Sequence, residues 1–128
     1  MNSETRYECR PAKLQEIDGD VGERVLERLN RIVPVFARNL IEFPFGGIYS
    51  IPIFVLNSRE IVVVAAALTT PGNSATQIKR HIQGAINIGV SHTEVIETII
   101  PMAVYAEFTA VLNGLSAARR VFIQRGAQ

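Results

Sequence analysis

Residues 74–108 read "SATQIKRHIQGAINIGVSHTEVIETIIPMAVYAEF", and this stretch decides the fold class. It contains two pairs with the spacing of a helix capping box, Ser74 with Gln77 and Ser91 with Glu94. Behind each pair, apolar residues recur every three or four positions, which is the pattern of one face of an α-helix. The stretch therefore predicts two consecutive amphipathic helices.

Glycine and proline mark the ends of these helices. Gly89 is typical of a helix C-terminal stop, and Pro101 is expected to kink the second helix or to split it in two. Downstream, "TAVLNGLSAARRVFIQR" (109–125) continues the helical period and carries arginines in its final turns. Positive charge there suits the negative end of a helix dipole, so a last helix is predicted.

Upstream of this stretch the same period recurs. It runs from Asp20 to about Phe43, with a break or restart expected at Pro34, and a turn-rich connection, "FPFGGIYSIP", follows. The segment "IVVVAAALTT" (61–70) could be a strand by propensity, but a preceding Asn57-Ser58 cap and three alanines favour a buried helix. No alternating strand pattern is convincing, so the class is all-α, with residues 1–18 loosely ordered and 19–128 forming one domain.

Composition narrows the functional classes. The 128 residues are 48% hydrophobic with a mean hydropathy of +0.19, and the apolar excess is expected to face a partner subunit. A net charge of +1 makes no case for nucleic-acid binding. The longest apolar run, Ile61 to Leu68, is too short to span a membrane, and no signal peptide is visible, so a cytoplasmic location is expected. The single Cys9 makes no disulfide, CxxC pair or cysteine zinc site.

Two titratable residues could carry chemistry. His81 shares a helix face with Gln77 and Gly84, and it could be a general acid or base, or a packed histidine hydrogen-bonded to its neighbours. Glu60 precedes the apolar run; it could serve the helix dipole, or it could be a buried carboxylate that orients and charges His81. His92 is expected to be exposed. Two histidines without spaced carboxylates predict no metal site.

Three segments together resemble the carboxymuconolactone decarboxylase family, within the wider alkylhydroperoxidase-D-like superfamily. They read "EFPFGGIYS", then "SRE" leading into "IVVVAAALT", then "QIKRHIQGAINIGVSHTEVIETIIPMAVYAEFTAVLNGLSAARRVF", and the resemblance covers about residues 20–122. It implies an all-α fold of about six helices with a helical-hairpin core. It also implies a homo-oligomer, either a hexamer built as a trimer of dimers or a trimer.

The resemblance further implies a cofactor-free decarboxylase of aromatic-compound breakdown. Such an enzyme removes a carboxylate from a small unsaturated lactone and shifts the double bond. His81 matches the histidine of the family, and Glu60 matches a glutamate that belongs to a proton relay in the peroxidase branch. That branch has a CxxC just before the histidine, where this chain reads "TTPGNSATQIKR", so thiol peroxidase activity is not expected.

Several positions depart from the pattern of the family. Gly47 and Ile51 stand where many members have an acidic residue and an arginine, and Glu107 and Thr109 stand where members often have glycine and proline. A dicarboxylate substrate favours arginine partners. These departures argue against the usual dicarboxylate lactone and favour a neutral or more apolar substrate, or a complete loss of catalysis.

Two hypotheses follow. In the first, the chain is a lyase or isomerase without a cofactor, in which His81 is the acid/base and Glu60 orients it. The residues expected to contact the small-molecule substrate are Gly46, Tyr49, Gln77, Tyr105 and Glu107. In the second, the chain is a non-catalytic oligomeric binding or assembly protein that keeps the scaffold of the family.

Overall fold

The structure is a computed structural model that describes residues 3–52, 55–70 and 74–126, with side chains from residue 13 onward. Every regular element in these ranges is helical, and a 3₁₀ turn, Ile48–Ser50, accompanies the α-helices. The helices are α1 Ser3–Ile32, α2 Pro34–Gly46, α3 Leu56–Thr69, α4 Ala75–Asn87, α5 His92–Ile99, α6 Met102–Tyr105 and α7 Phe108–Gln124. The all-α class is thus confirmed.

The described residues fall into two compact units, 1–55 and 56–128. The single domain expected over residues 19–128 stays a prediction. The count of about six helices agrees with the structure, since α6 is one turn of four residues. Within the described ranges, no helix is both long and apolar enough to cross a membrane.

In the first unit, α1 packs against α2. Helical structure begins at Ser3 and so includes most of the segment that the sequence predicts to be loosely ordered. The physical reason is burial, because Leu14 and Ile17 place their side chains in the core of this unit. The helix is interrupted at Gly19 (φ 56°, ψ −144°), next to the position where the helical sequence period starts.

Helix α2 begins at Pro34, as the restart predicted there requires, and it buries Ala37, Ile41 and Phe45. It ends at Gly46, and the chain then bends sharply at Gly47. A Cβ atom on residue 47 would lie only 2.6 Å from the Phe43 carbonyl oxygen. Close backbone approach therefore explains the glycine at a position where an acidic residue would be expected.

In the second unit, α3, α4, α5 and α7 surround one hydrophobic core. The segment "IVVVAAALTT" is helical as far as Thr69, as predicted, and it buries Val64, Ala67 and Leu68. This helix begins at Leu56, slightly before the predicted cap at Asn57-Ser58. The fully buried core side chains include Val64 of α3, Ile82 of α4, Val95 and Ile99 of α5, and Val121 of α7.

Two of the three predicted caps of this unit are present, at Ser74 and at Ser91. The Ser74 hydroxyl accepts a hydrogen bond from the Gln77 backbone N–H at 3.3 Å. At the start of α5 both bonds of the capping box between Ser91 and Glu94 measure 3.1 Å. Helix α5 stops before Pro101, so the proline separates α5 from α6 rather than bending one long helix.

The two ends of α4 are held by different contacts. Ser74 caps its start, while near its end the Arg125 guanidinium donates to the Gln83 carbonyl oxygen at 3.3 Å and to the Asn87 side-chain oxygen. Arg125 comes from the end of α7, so this contact ties together helices that are distant in sequence. Both ends of the helix that carries His81 are therefore anchored.

Candidate functional site

Helices α3 and α4 form a hairpin that carries both candidate catalytic residues. They are consecutive, they pack against each other, and only residues 70–74 connect them. A connection this short makes neighbouring helices antiparallel. Glu60 lies near the start of α3 and His81 lies in the middle of α4.

Glu60 is on the core-facing stripe of α3. It precedes Val64, Ala67 and Leu68 by four, seven and eight residues, and all four side chains are buried. Glu60 is 2% exposed, and its Oε1 atom is shut off from solvent. Placing a carboxylate on such a stripe costs free energy that an apolar residue would not cost. The burial of Glu60 therefore indicates a role beyond packing.

The hairpin places Glu60 and His81 at similar positions along its axis. Glu60 is nine residues before the end of α3, and His81 is six residues after the start of α4. At a rise of about 1.5 Å per residue, these offsets differ by roughly 5 Å, which is about one helical turn. Along the hairpin axis the two residues are therefore about one helical turn apart.

The His81 imidazole is half-buried. Burial, and to a lesser extent the positive charge of neighbouring Arg80, lower the pKa of His81 below its ordinary value of 6.5. The imidazole is consequently neutral at pH 7. A neutral imidazole can accept a proton from a substrate, and it can also donate a hydrogen bond from its N–H to a developing negative charge.

A sequence model of the carboxymuconolactone decarboxylase family matches residues 34–120, which is about two thirds of the chain. The chain belongs to this family. The predicted resemblance is thereby confirmed. The match includes α2 to α6 and most of α7, so it spans both Glu60 and His81.

One curated relative supports the same assignment. The chain is 28% identical over 127 residues to a 4-carboxymuconolactone decarboxylase of Acinetobacter baylyi (strain ATCC 33305 / BD413 / ADP1). The alignment covers 98% of this chain and 93% of the relative. The similarity therefore extends over the whole of both proteins rather than over one segment.

The remaining predicted contact residues of the second unit are on its surface. Gln77 is exposed in the first turn of α4, one turn before His81 on the same helix face. Tyr105, at the end of α6, is 77% exposed. Glu107 is the exposed residue before α7 and makes no side-chain cap bond. Of these three residues, Gln77 is the one that shares α4 with His81.

Gly46 and Tyr49 belong to the first unit. Gly46 is buried at the end of α2, and the half-buried Tyr49 ring lies 5.3 Å from the ring of Phe45, centroid to centroid. Ile51, where many family members have an arginine, is an exposed isoleucine. Gly46 and Tyr49 remain predicted contacts of the substrate.

His92 differs from its expected exposure. It is half-buried because its ring stacks on Phe122, with centroids 4.0 Å apart and planes 12° apart. In the described part of the chain, no three His, Cys, Asp or Glu side chains are grouped so that they could hold a metal ion.

Arg80 is a residue that the sequence analysis does not single out. It is half-buried, three residues after Gln77 and four before Gly84. That spacing places Arg80 on the same side of α4 as these two residues. The same spacing could have indicated Arg80 as a candidate site residue from the sequence.

Because Arg80 is next to His81, its charge is expected to affect the pKa of the imidazole, and this can be tested. Replacing Arg80 by glutamine removes a nearby positive charge, so the pKa of His81 should rise, while burial still keeps it below 6.5. The measurement is an NMR titration of the His81 imidazole, with His92→Gln used to assign the signals. Lys79→Gln is the control, since it removes the same charge from the other side of α4 and should change the His81 pKa less.

The same shift has a consequence for stability. Because the folded state lowers the pKa of His81, the folded protein binds a proton less readily than the unfolded chain. The associated stabilisation should be present above pH 6.5 and should be lost as the pH falls toward the lowered pKa. Arg80→Gln should reduce this loss, which urea unfolding at pH 5 and pH 7.5 would measure.

Proposed function

We propose that this protein is a lyase or isomerase that acts on a small unsaturated lactone or related cyclic compound by acid/base chemistry, without a cofactor. The observation that carries the proposal is the α3–α4 hairpin, in which a buried carboxylate and a half-buried, neutral imidazole lie at neighbouring levels. Membership of the carboxymuconolactone decarboxylase family and the named decarboxylase relative support the same class of reaction.

His81 has the properties that a proton-transfer step needs. As a base, it would remove a proton from a carbon next to the double bond, and the electron pair would move through the conjugated system onto the lactone carbonyl. The imidazolium would then return the proton at the far carbon, which shifts the double bond. A hydrogen bond to the carbonyl oxygen would stabilise the enolate formed between these steps.

Decarboxylation would use the same conjugated system. The bond between the ring carbon and the carboxylate breaks, carbon dioxide leaves, and the electron pair enters the lactone conjugation. His81, after taking a proton from solvent, would donate it to the far carbon, which completes the reaction and returns the imidazole to its neutral form. In both reactions Glu60 would orient the imidazole and stabilise its protonated form, which is the usual effect of a carboxylate near a histidine. The hairpin supports this role because it fixes both groups on rigid helices.

The substrate we propose has fewer than two carboxylates. Ile51 and Gly47 supply no charge at positions where family members carry an arginine and an acid, and the bend at residue 47 leaves no space for a side chain. The named substrate of the relative is therefore the first comparison compound rather than the expected best substrate.

The experiment is incubation in D₂O with three compounds: 4-carboxymuconolactone, an unsaturated lactone with one carboxylate, and an uncharged unsaturated lactone. NMR would follow deuterium incorporation and double-bond position, and evolved carbon dioxide would report decarboxylation. We expect exchange or turnover with at least one compound that has fewer than two carboxylates. Failure of all three with correctly folded protein would contradict the enzymatic proposal.

A second candidate is assembly without catalysis, and one observation favours it. Large apolar side chains are exposed along α6 and the first half of α7: Val104, Tyr105, Phe108 and Leu112. We call this set the α6–α7 apolar face. Contiguous exposed apolar surface of this kind marks interaction sites. We propose that it contacts a second copy of the chain, as the trimer or hexamer implied by the family would require.

Phe108→Glu tests this surface. Phe108 is 76% exposed in one chain, so a charge there should leave the fold intact but should be costly inside an apolar interface. We expect a fall in assembly mass in sedimentation velocity at fixed protein concentration. Thr109→Glu is the control, because it adds the same charge on a neighbouring exposed position that lies outside the α6–α7 apolar face. Equal masses for both variants and the unmodified protein would contradict the proposal.

A further inference from the structure

One side of α4 carries a basic residue, a histidine and a glutamine close together. Gln77, Arg80, His81 and Gly84 occupy positions that span roughly 100° of the helix circumference. This side adjoins the core-facing stripe of Ile78, Ile82 and Ala85. Gly84 is one turn after both Arg80 and His81, and it is buried with the core residues of α4.

Arg80 is the basic residue of this group, and its charge is not compensated. It is half-buried, and it makes no hydrogen bond or ion pair with any residue that the structure describes. Arg38, by contrast, pairs with Glu42 at 2.9 Å, and Arg125 is bound by two oxygen atoms of α4. A partly desolvated guanidinium without an anion has lost hydration and has gained no partner, so it favours binding of an anion.

The charge of Arg80 also acts on the imidazole. It is the second cause, after burial, of the lowered pKa of His81. An anion bound by Arg80 would therefore lie close to the group that is proposed to move the proton.

We infer that Arg80 is the substrate-recognition residue of this site and binds one carboxylate that stays on the substrate during the reaction. The inference rests on the proposed function and names its substrate class: an unsaturated lactone with a single carboxylate. Arg80 would then supply the cationic partner for this carboxylate from α4 itself.

The carboxylate on Arg80 should not be the one that leaves. A guanidinium paired with a leaving carboxylate stabilises the reactant more than the transition state, because the negative charge moves away from that group as carbon dioxide forms. For a substrate with a single carboxylate, the expected reaction is therefore the double-bond shift, in which His81 removes and returns one proton and no carbon–carbon bond breaks.

The test compares two ligands and three proteins. The ligands are an unsaturated γ-lactone bearing one acetate side chain and its methyl ester, and the proteins are the unmodified chain, Arg80→Gln and Lys79→Gln. Dissociation constants come from the His81 imidazole NMR signals, so that binding is measured whether or not turnover occurs. Lys79 is half-buried like Arg80 but lies on the other side of α4.

We expect Arg80→Gln to weaken binding of the acid by about tenfold or more, which is the usual effect of losing a charged hydrogen-bonding partner. Binding of the methyl ester should change less than about twofold, and Lys79→Gln should leave both constants unchanged. Arg80→Lys should restore part of the preference for the acid, since lysine keeps the charge and loses the paired geometry of the guanidinium.

Three results would overturn the inference: equal weakening of acid and ester by Arg80→Gln, an equal effect of Lys79→Gln, or no binding of either ligand by the unmodified protein. Failure of the proposed function is a separate result. If Arg80 determines a preference for the acid but no proton exchange occurs in D₂O, the inferred carboxylate site is supported and the proposed enzymatic function is contradicted. If turnover occurs but the acid-to-ester ratio of kcat/KM does not depend on Arg80, only the inference fails.

Discussion

Replacement of His81 by alanine should lower kcat by at least about 10² to 10⁴-fold, the range expected when a general acid/base is removed. The side chain is half-buried on a helix anchored at both ends, and it is kept neutral at pH 7 by burial and by Arg80. Alanine is a strong helix former, so α4 should persist. The loss should therefore appear as lost turnover while the protein stays folded and assembled.

The measurement is the initial rate on whichever compound shows exchange or turnover in D₂O, together with circular dichroism and sedimentation velocity. His92→Ala is the matched control, since it removes the second histidine of the described chain, which stacks on Phe122 at the start of α5. His92→Ala should keep kcat within a few-fold while losing some stability. Unchanged kcat in His81→Ala would remove His81 from the mechanism.

Glu60→Gln would extend this result. If Glu60 stabilises the protonated imidazole, its replacement should lower kcat less than the loss of His81 does and should shift the pH dependence of the rate to lower pH. A variant that loses rate without any shift in the pH profile would assign Glu60 a structural role. Comparison of the two profiles therefore separates orientation of the base from support of the fold.

Replacement of Ile82 by alanine is expected to have the largest effect on stability. Ile82 is fully buried (0% exposed) in α4 and belongs to the hydrophobic core of the second unit. Truncation of a buried isoleucine to alanine removes apolar contacts and leaves a cavity, at a cost of about 2–5 kcal/mol in the free energy of unfolding. For a domain of this size, that cost corresponds to a fall in Tm of roughly 10 °C or more.

The check is thermal and urea unfolding at one fixed protein concentration, because the proposed assembly would make the apparent stability depend on concentration. Ile123→Ala is the matched control, as it deletes the same atoms from an isoleucine that is 54% exposed on α7. Its effect should stay within about 0.5 kcal/mol, the usual range for surface positions. Similar destabilisation by both variants would contradict the packing of α4 against the core.

Much of the helical framework could be predicted from local sequence. Ser91 and Glu94 form both bonds of a capping box, Pro34 begins a helix, and Pro101 separates two helices. Gly89 has a φ of +95°, as a residue that ends a helix often does. Caps and breaks act within a few residues, so a short stretch of sequence contains all the interacting groups.

Other features depended on packing. The helix that begins at Ser3 is stabilised by Leu14 and Ile17, which bury their side chains in the first unit. Because the surrounding residues are polar, the sequence pattern does not indicate that this segment is an ordered helix. His92 likewise lies against Phe122, thirty residues away in the chain, and such a contact cannot be read from spacing.

The candidate site also combines properties that local sequence determines with properties that only packing determines. The sequence alone predicted the all-α class and showed that no CxxC lies beside His81, because residue type and short-range spacing determine these properties. It also offered His81 and Glu60 as candidates, and the resemblance of its longer segments indicated the family that the family model confirms. The tertiary structure decided that Glu60 is buried, that burial and Arg80 lower the pKa of the half-buried His81, and that Arg80 has no anionic partner in the described chain. These properties depend on which side chains and how much water surround each group, and that environment exists only after α3, α4 and α7 have packed around one core.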